Sequence, residues 1–592
     1  MKDNINIDHI RHSLSHLLAA VVFKKFPETK FGIGPVIENG FYYDFDLPTQ
    51  ITEEDLKDLE KEMKKLVRAG LPFTKEVVTI DEAKKIFSAQ GGPAWGGKDQ
   101  PFKLDLIEEF SKVDKEVSIY KTGDVFFDLC RGGHVENTKE INPDTFTLLK
   151  IAGAYWRGNE KNKMLTRIYG LAFETKKELD DYLSFLEEAK KRDHRKLGKQ
   201  LDLFTFSDYI GSGLPLYTPK GSFIRRTLND YIESLQIKEG YTQIWTPQIA
   251  KAELFKISGH YDKYKEGMFR VVSNYSKEEF YLKPMNCPQH TQVYASQPRS
   301  YRDLPLRYTD FAMLYRDEKP GELSGLARVR SFSQDDCHIF CREDQVDKEI
   351  DVALQMIKEV MSTFGFKYRY RLSTRDKAHP EKYLGNPETW DRVEKWAEEI
   401  MKRNVVEYYD GPGEAAFYAP KMDLMATDAL GREWQLSTVQ IDFVMPERFN
   451  LIYIDSDGKE KHPVMLHRAI IGSPERFMMI LIEHYAGAFP VWLSPVQTVV
   501  IPISEKYTGY AVIVLQDLYL NGIRAEISEA NETLGKRIRE AEMKKTPYIL
   551  IVGEKEKKEK TVNVRKRHQK ETSTIPTSQF IDEILKEIQE RK

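Results

Sequence analysis

Residues 315–341 read YRDEKPGELSGLARVRSFSQDDCHIFC and contain the pattern on which the fold prediction depends. Two arginines, Arg316 and Arg328, surround a short polar turn, and a second strand-like run then ends in an acid pair, Asp335 and Asp336. Arginine can hold a phosphate through a planar two-pronged contact, and a histidine flanked by acids can serve as metal ligand or base. A charged surface hairpin is the alternative interpretation. It is disfavoured because alternate positions share one face of a strand. Those positions carry Gln334, Asp336 and His338.

This block resembles motif 2 of the class II aminoacyl-tRNA synthetases, in the form found in the threonyl-tRNA synthetase family. Two further motifs occur in order. KEGYTQIWTPQI (238–249), with Pro247, is similar to motif 1, which forms the dimer interface in that family. HRAIIGSPERFMMILIEHYAG (467–487) is similar to motif 3, where a Gly-rich turn leads into a helix that carries Arg476. The resemblance covers nearly the whole chain and implies a homodimer.

Composition limits the class of protein. The 592 residues include 41% hydrophobic and 31% charged residues, but the formal net charge is only -3, so nucleic-acid contacts must come from local basic surfaces. Four cysteines are too few for a disulfide scaffold and are typical of a reducing compartment. The sequence has no apolar run of membrane-spanning length and no signal-peptide pattern at its start. We therefore expect a cytoplasmic protein without membrane contact.

Periodicity and composition predict a multidomain protein that combines α+β and α/β domains. With the resemblance, we assign an α+β editing domain (1–173), a helical linker (174–200), a class II catalytic domain on an antiparallel sheet (201–492) and an α/β anticodon-binding domain (493–592). Local patterns predict helices at 9–27, 52–69, 80–89 and 221–238, a strand-turn-strand at 31–47, a loop at 90–97 and a strand at 241–246. After residue 497 the pattern predicts a βαβαβ order.

The resemblance implies ATP-dependent ligation of threonine to tRNA(Thr) through threonyl-adenylate. Activation brings two anions together and adds charge at phosphorus, so cationic side chains and Mg²⁺ with ATP are expected. Arg316 would grip the α-phosphate and the amino-acid carboxylate, and Arg476 the γ-phosphate. The family also places Lys421 in the site, and His260 in transfer to the tRNA ribose, although His260 could be an ordinary loop histidine. The substrate and nucleotide shell would comprise Arg328, Gln334, Met285, Asp336, Tyr418, Gln435, Thr438, Gln440 and Ser473.

The resemblance also implies one Zn²⁺ in each subunit, with Cys287, His338 and His467 as its ligands. Spacing alone would not predict this site, because the three residues lie far apart and form no local zinc signature. A metal bound by the amino group and hydroxyl of threonine would reject valine, which lacks the hydroxyl. A purely apolar pocket would discriminate between threonine and valine by only about a hundredfold. Core packing is the predicted role of Cys337 and Cys341.

The amino-terminal segment pairs His12 with His16, and Cys130 with His134, each at a spacing of four residues. By themselves these four side chains would suggest zinc. The pattern resembles the editing domain shared by threonyl- and alanyl-tRNA synthetases, which implies hydrolysis of mischarged Ser-tRNA(Thr). Editing is expected because serine lacks only one methyl group, worth about 1–3 kcal/mol. Asp128, with Lys103, would recognise the seryl group. Fuller-length relatives carry a ubiquitin-like domain before this one, and we expect it to be absent here.

The carboxy-terminal segment resembles the anticodon-binding domain of the class IIa subgroup. Residues 554–570 contain eight Lys or Arg and three Glu, a basic strip that could meet RNA phosphates; a solvated hairpin is the alternative. Arg565 and Arg567 are the candidate readers of splayed bases, and the sequence does not choose between them.

Three other interpretations remain open. A prolyl-tRNA synthetase is opposed by the amino-terminal histidine pairs and the three zinc positions. A non-catalytic RNA-binding or regulatory relative should have lost Arg316 or Arg476, and both are present. A free-standing editing hydrolase would not need residues 201–592.

Overall fold

The computed structural model describes residues 6–88, 98–404, 406–569 and 571–592. The chain divides into two units, residues 1–187 and 188–592, with the boundary inside one helix. Both units combine helices with antiparallel sheet, and the carboxy-terminal segment adds parallel strand pairs, which together confirm the predicted α+β and α/β multidomain class. In the described residues no helix combines the length and apolarity that a bilayer crossing requires. The predicted loop at 90–97 lies outside the described residues.

The first unit packs helix α1 (Ile7–Lys25) against a sheet with the strand order β1-β3-β8-β7, to which β2 adds at β3. A second sheet has the order β4-β5-β6. The side chain of Asn6 caps α1 by accepting from the Asp8 N–H, and the helix buries Leu14, Leu17 and Leu18 in the core. The other elements are α2 (Glu53–Ala69), α3 (Ile80–Ile86), α4 (Pro101–Phe110), β1 (Lys30–Phe31), β2 (Val36–Ile37), β3 (Gly40–Asp46), β4 (Phe73–Thr79), β5 (Glu116–Thr122), β6 (Phe126–Leu129), β7 (Phe146–Tyr155) and β8 (Met164–Ala172).

The predicted single linker helix at 174–200 was wrong, because the structure has two helices there. They are α5 (Lys176–Arg192) and α6 (His194–Gln200), and Asp193 separates them in a non-helical conformation. The Asp193 side chain accepts from the Arg195 N–H at 2.8 Å and so caps α6. The predicted solvated character was also wrong for α6, which buries His194 and Leu197.

An eight-stranded sheet organises the second unit, in the order β11-β15-β18-β25-β22-β21-β19-β20, antiparallel except for the pairs β11–β15 and β19–β20. Its core includes buried residues of α7, α11 and α14. Its strands are β11 (Thr242–Gln243), β15 (Leu306–Asp310), β18 (Asp336–Cys341), β19 (Lys367–Thr374), β20 (Tyr408–Pro412), β21 (Lys421–Thr427), β22 (Glu433–Asp442) and β25 (Val464–Ala469). The helices are α7 (Pro219–Lys238), α8 (Ala252–Ser258), α9 (His260–Tyr264), α10 (Cys287–Ala295), α11 (Val346–Phe364), α12 (Pro387–Arg403), α13 (Val444–Arg448) and α14 (Pro474–His484). Smaller sheets use β9 (Phe204–Thr205), β10 (Leu216–Tyr217), β12 (Ile249–Lys251), β13 (Arg270–Val271), β14 (Phe280–Leu282), β16 (Met313–Tyr315), β17 (Ser331–Ser333), β23 (Tyr453–Ile454) and β24 (Glu460–Lys461).

Two strand predictions in this unit need correction. The run 241–246 forms a strand only at Thr242–Gln243, the edge strand β11. The acid pair does not end a strand: β17 stops at Ser333 and β18 begins at Asp336. Cys337 and Cys341 are buried in the main core, as predicted.

The carboxy-terminal segment forms a five-stranded sheet in the order β27-β26-β28-β29-β30. The predicted βαβαβ order is confirmed, and a β-hairpin and a final helix follow it. The elements are β26 (Thr498–Pro502), α15 (Thr508–Leu520), β27 (Ala525–Ile527), α16 (Leu534–Met543), β28 (Tyr548–Val552), α17 (Glu554–Glu559), β29 (Thr561–Lys566), β30 (Thr572–Pro576) and α18 (Thr577–Gln589).

Candidate active site

Two adjoining cavities open on one face of the eight-stranded sheet. The first has a volume of about 250 Å³ and the second about 420 Å³. They share Arg316, Gln334, Gln435 and Thr438 in their walls. Apart from His260, all the residues predicted for catalysis, substrate binding and metal ligation in this unit line one or both cavities. They are Met285, Cys287, Arg316, Arg328, Gln334, Asp336, His338, Tyr418, Lys421, Gln435, Thr438, Gln440, His467, Ser473 and Arg476.

The smaller cavity, which we call the cationic cavity, is lined by Arg316, Arg328 and Arg476. Burial lowers the pKa of Arg476, and the nearby Arg316 and Arg328 lower it further. The Nε of Arg316 is buried and has no hydrogen-bond partner among the described residues. Arg328 pairs with Glu318 at 2.7 Å and with Glu322 at 2.8 Å. Concentrated positive charge with an unsatisfied donor fits an anionic ligand such as a polyphosphate.

The amino-terminal end of α14 borders the cationic cavity. Gly472 has φ 66°, and an added Cβ would lie 2.8 Å from the Leu436 carbonyl oxygen, so the turn requires glycine. The Ser473 hydroxyl accepts from the Arg476 N–H at 3.4 Å, and Pro474 occupies the first turn. The positive end of the α14 dipole therefore lies beside the arginines, which favours phosphate binding.

The larger cavity contains the predicted metal cluster. Cys287, His338 and His467 are all buried, and one ligand atom from each lies within 4.8 Å of the others. Cys287 begins α10, while His338 and His467 are paired directly across β18 and β25. One sulfur and two imidazole nitrogens form a donor set that suits Zn²⁺ with an open fourth position.

The surroundings of the cluster also fit a metal. Asp442 lies 2.9 Å from His467 Nε2, and His290 Nδ1 lies 2.8 Å from His338 Nδ1, which leaves the other ring nitrogens facing each other. Such outer partners orient metal-bound histidines. Burial lowers the pKa of His338, which favours the neutral form that binds metal, and burial raises the pKa of Cys287, so the thiolate needs a compensating cation.

Polar groups around the cluster leave capacity for a small polar ligand. Thr438 Oγ1 and Gln440 Oε1 are buried and lack hydrogen-bond partners in the part of the chain that the structure describes. Lys421 Nζ lies 3.2 Å from Asp423 Oδ2, and Tyr418 stacks on His467 with 4.8 Å between ring centroids. A ligand with amino, hydroxyl and carboxylate groups would satisfy these positions.

His260 lies behind the cavity wall. It is buried at the start of α9, so it is not a loop histidine. Its Nδ1 lies 2.8 Å from Ser258 Oγ, and its Nε2 lies 3.1 Å from Met285 Sδ. Burial lowers the pKa of His260 to about 3, so the ring is neutral at physiological pH. Its predicted role in transfer stays a prediction.

The first unit brings its predicted site residues together. His12, His16, Cys130 and His134 have ligand atoms within 4.8 Å of one another. Cys130 Sγ lies 3.4 Å from His12 Nε2 and 3.3 Å from His134 Nε2. Burial lowers the pKa of His134 to about 2 and raises that of Cys130 to about 12, so neutral imidazoles and a thiol form the cluster.

Lys103 and Asp128 form a buried ion pair in the same unit. The Lys103 Nζ is 2.5 Å from Asp128 Oδ1, and the two side chains are 2% and 3% exposed. Tyr43 donates to Asp128 Oδ2 at 2.5 Å. The predicted contact of these residues with a seryl group stays a prediction, since the pair is satisfied internally.

The two predicted anticodon arginines differ in availability. Arg567 donates to the carbonyl oxygens of Lys545, Ala488 and Phe489, and burial lowers its pKa. Arg565 is 35% exposed and pairs with Glu542 at 2.7 Å. The guanidinium of Arg567 is therefore committed to backbone carbonyl oxygens, whereas that of Arg565 is held by one partly exposed carboxylate.

The sequence interpretation missed Asp442 and His290 as partners of the metal cluster. Signals for both were available. Asp442 follows Gln440 by two residues on β22 and therefore shares its face. His290 follows Cys287 by three residues, one turn along α10.

Comparisons with known proteins match each part of the chain. Residues 269–485 match the tRNA synthetase class II core domain (G, H, P, S and T), 497–587 an anticodon binding domain, and 117–169 the threonyl and alanyl tRNA synthetase second additional domain. The threonine–tRNA ligase of Gloeobacter violaceus is 47% identical over 100% of this chain and 93% of its own length. That of Streptococcus thermophilus is 48% identical over 98% and 88%. A structure titled as the RNA binding domain of threonyl-tRNA synthetase from Cryptosporidium parvum is 38% identical with a TM-score of 0.64, covering 67% of this chain and 98% of its own.

Proposed function

The chain belongs to the threonine–tRNA ligase family, and from that premise we propose that it joins threonine to tRNA(Thr) in two steps. Threonine and ATP give threonyl-adenylate and pyrophosphate, and the adenylate then reacts with tRNA(Thr) to give threonyl-tRNA and AMP. The observation that supports this most directly is the pair of adjoining cavities that share Arg316. One is cationic and suits a polyphosphate, and the other has the polar groups that suit a small amino acid.

In the first step the carboxylate of threonine attacks the α-phosphorus of ATP. Arg316 borders both cavities and can contact the carboxylate and the α-phosphate together, which lowers the repulsion between two anions. Arg476 and the amino-terminal end of α14 would receive the outer phosphates, with Mg²⁺ entering as a complex with ATP. Pyrophosphate leaves as the new bond to phosphorus forms.

Selection of threonine is proposed to depend on Zn²⁺ held by Cys287, His338 and His467. When bound, the metal supplies a Lewis-acid contact that a hydroxyl group can make and a methyl group cannot. Asp442 and His290 would orient the two imidazoles. Gln440 and Thr438, whose buried oxygens lack described partners, would bind the polar groups of the amino acid.

The first unit is proposed to hydrolyse seryl-tRNA. His12, His16, Cys130 and His134 would bind the terminal adenosine and position water, and Asp128 with Lys103 would recognise the seryl group. The match of residues 117–169 to the second additional domain supports this role. The neutral imidazoles can accept hydrogen bonds from a water molecule and so position it for attack on the ester.

ATP–pyrophosphate exchange with threonine, serine, valine and proline, measured in parallel, tests the proposal. We expect strong exchange with threonine, weaker exchange with serine and almost none with valine or proline. Exchange with proline, or the absence of exchange with all four amino acids, would contradict the proposal.

Cys287→Ala tests the metal assignment. We expect loss of bound zinc and loss of threonine-dependent exchange, because one of three ligands is removed. Cys341→Ala is the matched control, since Cys341 is equally buried but lies in the core away from the cluster. Zinc content by atomic absorption and circular dichroism should be recorded for both. A Cys287→Ala enzyme that retains stoichiometric zinc and normal exchange would disprove the assignment.

A further inference from the structure

His194, the first residue of α6, joins two parts of the second unit that border the cationic cavity. It is 5% exposed. Its Nδ1 lies 2.6 Å from Glu483 Oε1 on α14, and its Nε2 lies 3.1 Å from the backbone nitrogen of Leu326. None of the three motifs named above includes this residue.

The tautomer of His194 follows from its hydrogen-bond partners. The Leu326 N–H can only donate, so Nε2 must accept and the ring proton must reside on Nδ1. Glu483 is a suitable acceptor for that proton. Burial alone would raise the pKa of Glu483, but hydrogen bonds from His194 and Arg432 hold it below its ordinary value. Both imidazole nitrogens are therefore used, which argues for a hydrogen-bonded link here and against a metal site.

Leu326 belongs to the loop between β16 and β17, which forms one wall of the cationic cavity. Its neighbours Ala327 and Arg328 also line that cavity. The Ala327 carbonyl oxygen accepts from Arg476 Nε at 3.2 Å. The loop is thus held at two successive residues, by His194 at the Leu326 N–H and by Arg476 at the Ala327 carbonyl.

Gly325 shows how closely the loop approaches His194. Its φ is 48°, and an added Cβ would lie only 2.1 Å from His194 Nε2. No side chain larger than hydrogen fits there without moving the imidazole or the loop. The loop conformation and the ring position therefore depend on each other.

We propose that His194 is a positioning residue for ATP, which fixes the loop 324–328 against α14 so that Arg328 and Arg476 face the same polyphosphate. The inference rests on the proposed activation reaction. His194 does not touch substrate; it acts through Leu326 and Glu483. Loss of the acceptor nitrogen of His194 frees the loop and weakens ATP binding. The larger cavity keeps its shape, because its walls include neither Leu326 nor Glu483.

Two substitutions separate the two hydrogen bonds. In His194→Gln the side-chain carbonyl reaches the position of Nε2 and can still accept from Leu326. In His194→Asn the shorter amide keeps a donor for Glu483 at the position of Nδ1 but loses the acceptor. We expect His194→Asn to raise KM for ATP in threonine-dependent exchange about tenfold, the usual effect of leaving one buried donor unpaired, with KM for threonine within about twofold. His194→Gln should stay within about threefold of wild type for both substrates.

Hydrogen exchange by mass spectrometry supplies a readout that needs no activity. The peptide that spans 323–330 should exchange faster in His194→Asn than in His194→Gln, and the urea midpoints of the two variants should agree. Equal KM values for ATP in wild type and His194→Asn would overturn the inference. So would losses of activity in both variants that are proportional to the decreases in their urea midpoints. Absence of threonine-dependent ATP–pyrophosphate exchange in the wild-type protein would instead refute the proposed function. Hydrogen exchange in the peptide 323–330 would still report on the loop.

Discussion

At the scale of the residue, Lys103 and Asp128 form a buried ion pair in which each charge needs the other as its counterion. Both side chains are buried, and their charged atoms are 2.5 Å apart. We expect Lys103→Met to lower the free energy of unfolding of its unit by about 3–5 kcal/mol, because it leaves a buried carboxylate without a counterion. Urea denaturation followed by fluorescence measures the change.

Lys121→Met is the matched control for Lys103→Met. Lys121 also pairs with a carboxylate at 2.5 Å, that of Glu76, but both partners are 48% exposed. An exposed pair contributes less than about 1 kcal/mol. Equal losses of stability in the two variants would contradict the burial argument.

Lys283 predicts a dependence of stability on pH. Burial lowers its pKa to about 8, although Asp310 and Asp336 act in the opposite direction. In the unfolded chain a lysine titrates near 10.4, so between about pH 8 and 10 the unfolded state binds more protons than the folded state. Stability contributed by this group is therefore lowest below pH 8 and rises with pH through that window. The urea midpoint of the wild type relative to Lys283→Met should increase from pH 7.5 to 9.5, and parallel curves would refute this assignment.

The sequence and the resemblance predicted three residues that the structure brings together as a candidate metal cluster, but they could not predict residues that act through backbone contacts. Cys287, His338 and His467 are far apart in the chain, and only the pairing of β18 with β25 and the start of α10 bring them together. His194 was missed because its segment is rich in charge, which indicates a solvated helix. Burial of one imidazole against a loop N–H leaves no pattern in the sequence.

At the scale of the element, α7 depends on a glycine. An added Cβ at Gly221 would lie 1.8 Å from the Leu203 carbonyl oxygen. We expect Gly221→Ala to destabilise the second unit by about 1–3 kcal/mol, because backbone must shift to relieve the overlap. Thermal unfolding monitored by circular dichroism at 222 nm measures the effect.

Gly535→Ala in α16 provides the opposite expectation. Nothing lies within 4 Å of a Cβ at that position, and its helical backbone accepts alanine. Stability should rise by about 0.4–1 kcal/mol through the lower entropy of the unfolded chain. If both substitutions changed stability in the same direction, close packing at Gly221 would not be the cause.

Element boundaries were predicted less well than element types. Helices α1, α2 and α7 match their predicted spans within two residues, because apolar spacing and caps mark them. The strand expected at 241–246 is short because β11 lies at the edge of its sheet and, among the strands that the structure describes, pairs only with β15. The preference of these residues for strand conformation cannot replace a second neighbouring strand, so the strand stays short.

At the scale of the whole molecule, we expect the chain to form a homodimer through the motif 1 segment. Trp245 is 75% exposed and Ile249 is 45% exposed, so apolar surface is available there. Trp245→Glu should shift the protein from dimer to monomer, as measured by sedimentation velocity. Val272→Glu, at a residue 79% exposed outside this segment, is the control. A dimer in both variants would place the interface elsewhere.

The fold class was predictable because apolar periodicity changes along the chain, from mixed helix and strand to the regular alternation after residue 497. The boundary between the two units, at residues 187 and 188, lies inside the charge-rich segment 174–200 that was predicted as the linker. Its exact position was not predicted, because it falls within the continuous helix α5.

The cross-strand pairing of His338 with His467 has a consequence for the life of the protein before it acts. The last of the three donors is 180 residues further along the chain than the first. A ribosome must therefore synthesise most of the catalytic domain before the donor set exists, and β25 must join the sheet before the set is assembled. On the proposed zinc assignment, metal loading is then a late event in biogenesis, and a chain arrested before residue 467 has no complete site to load.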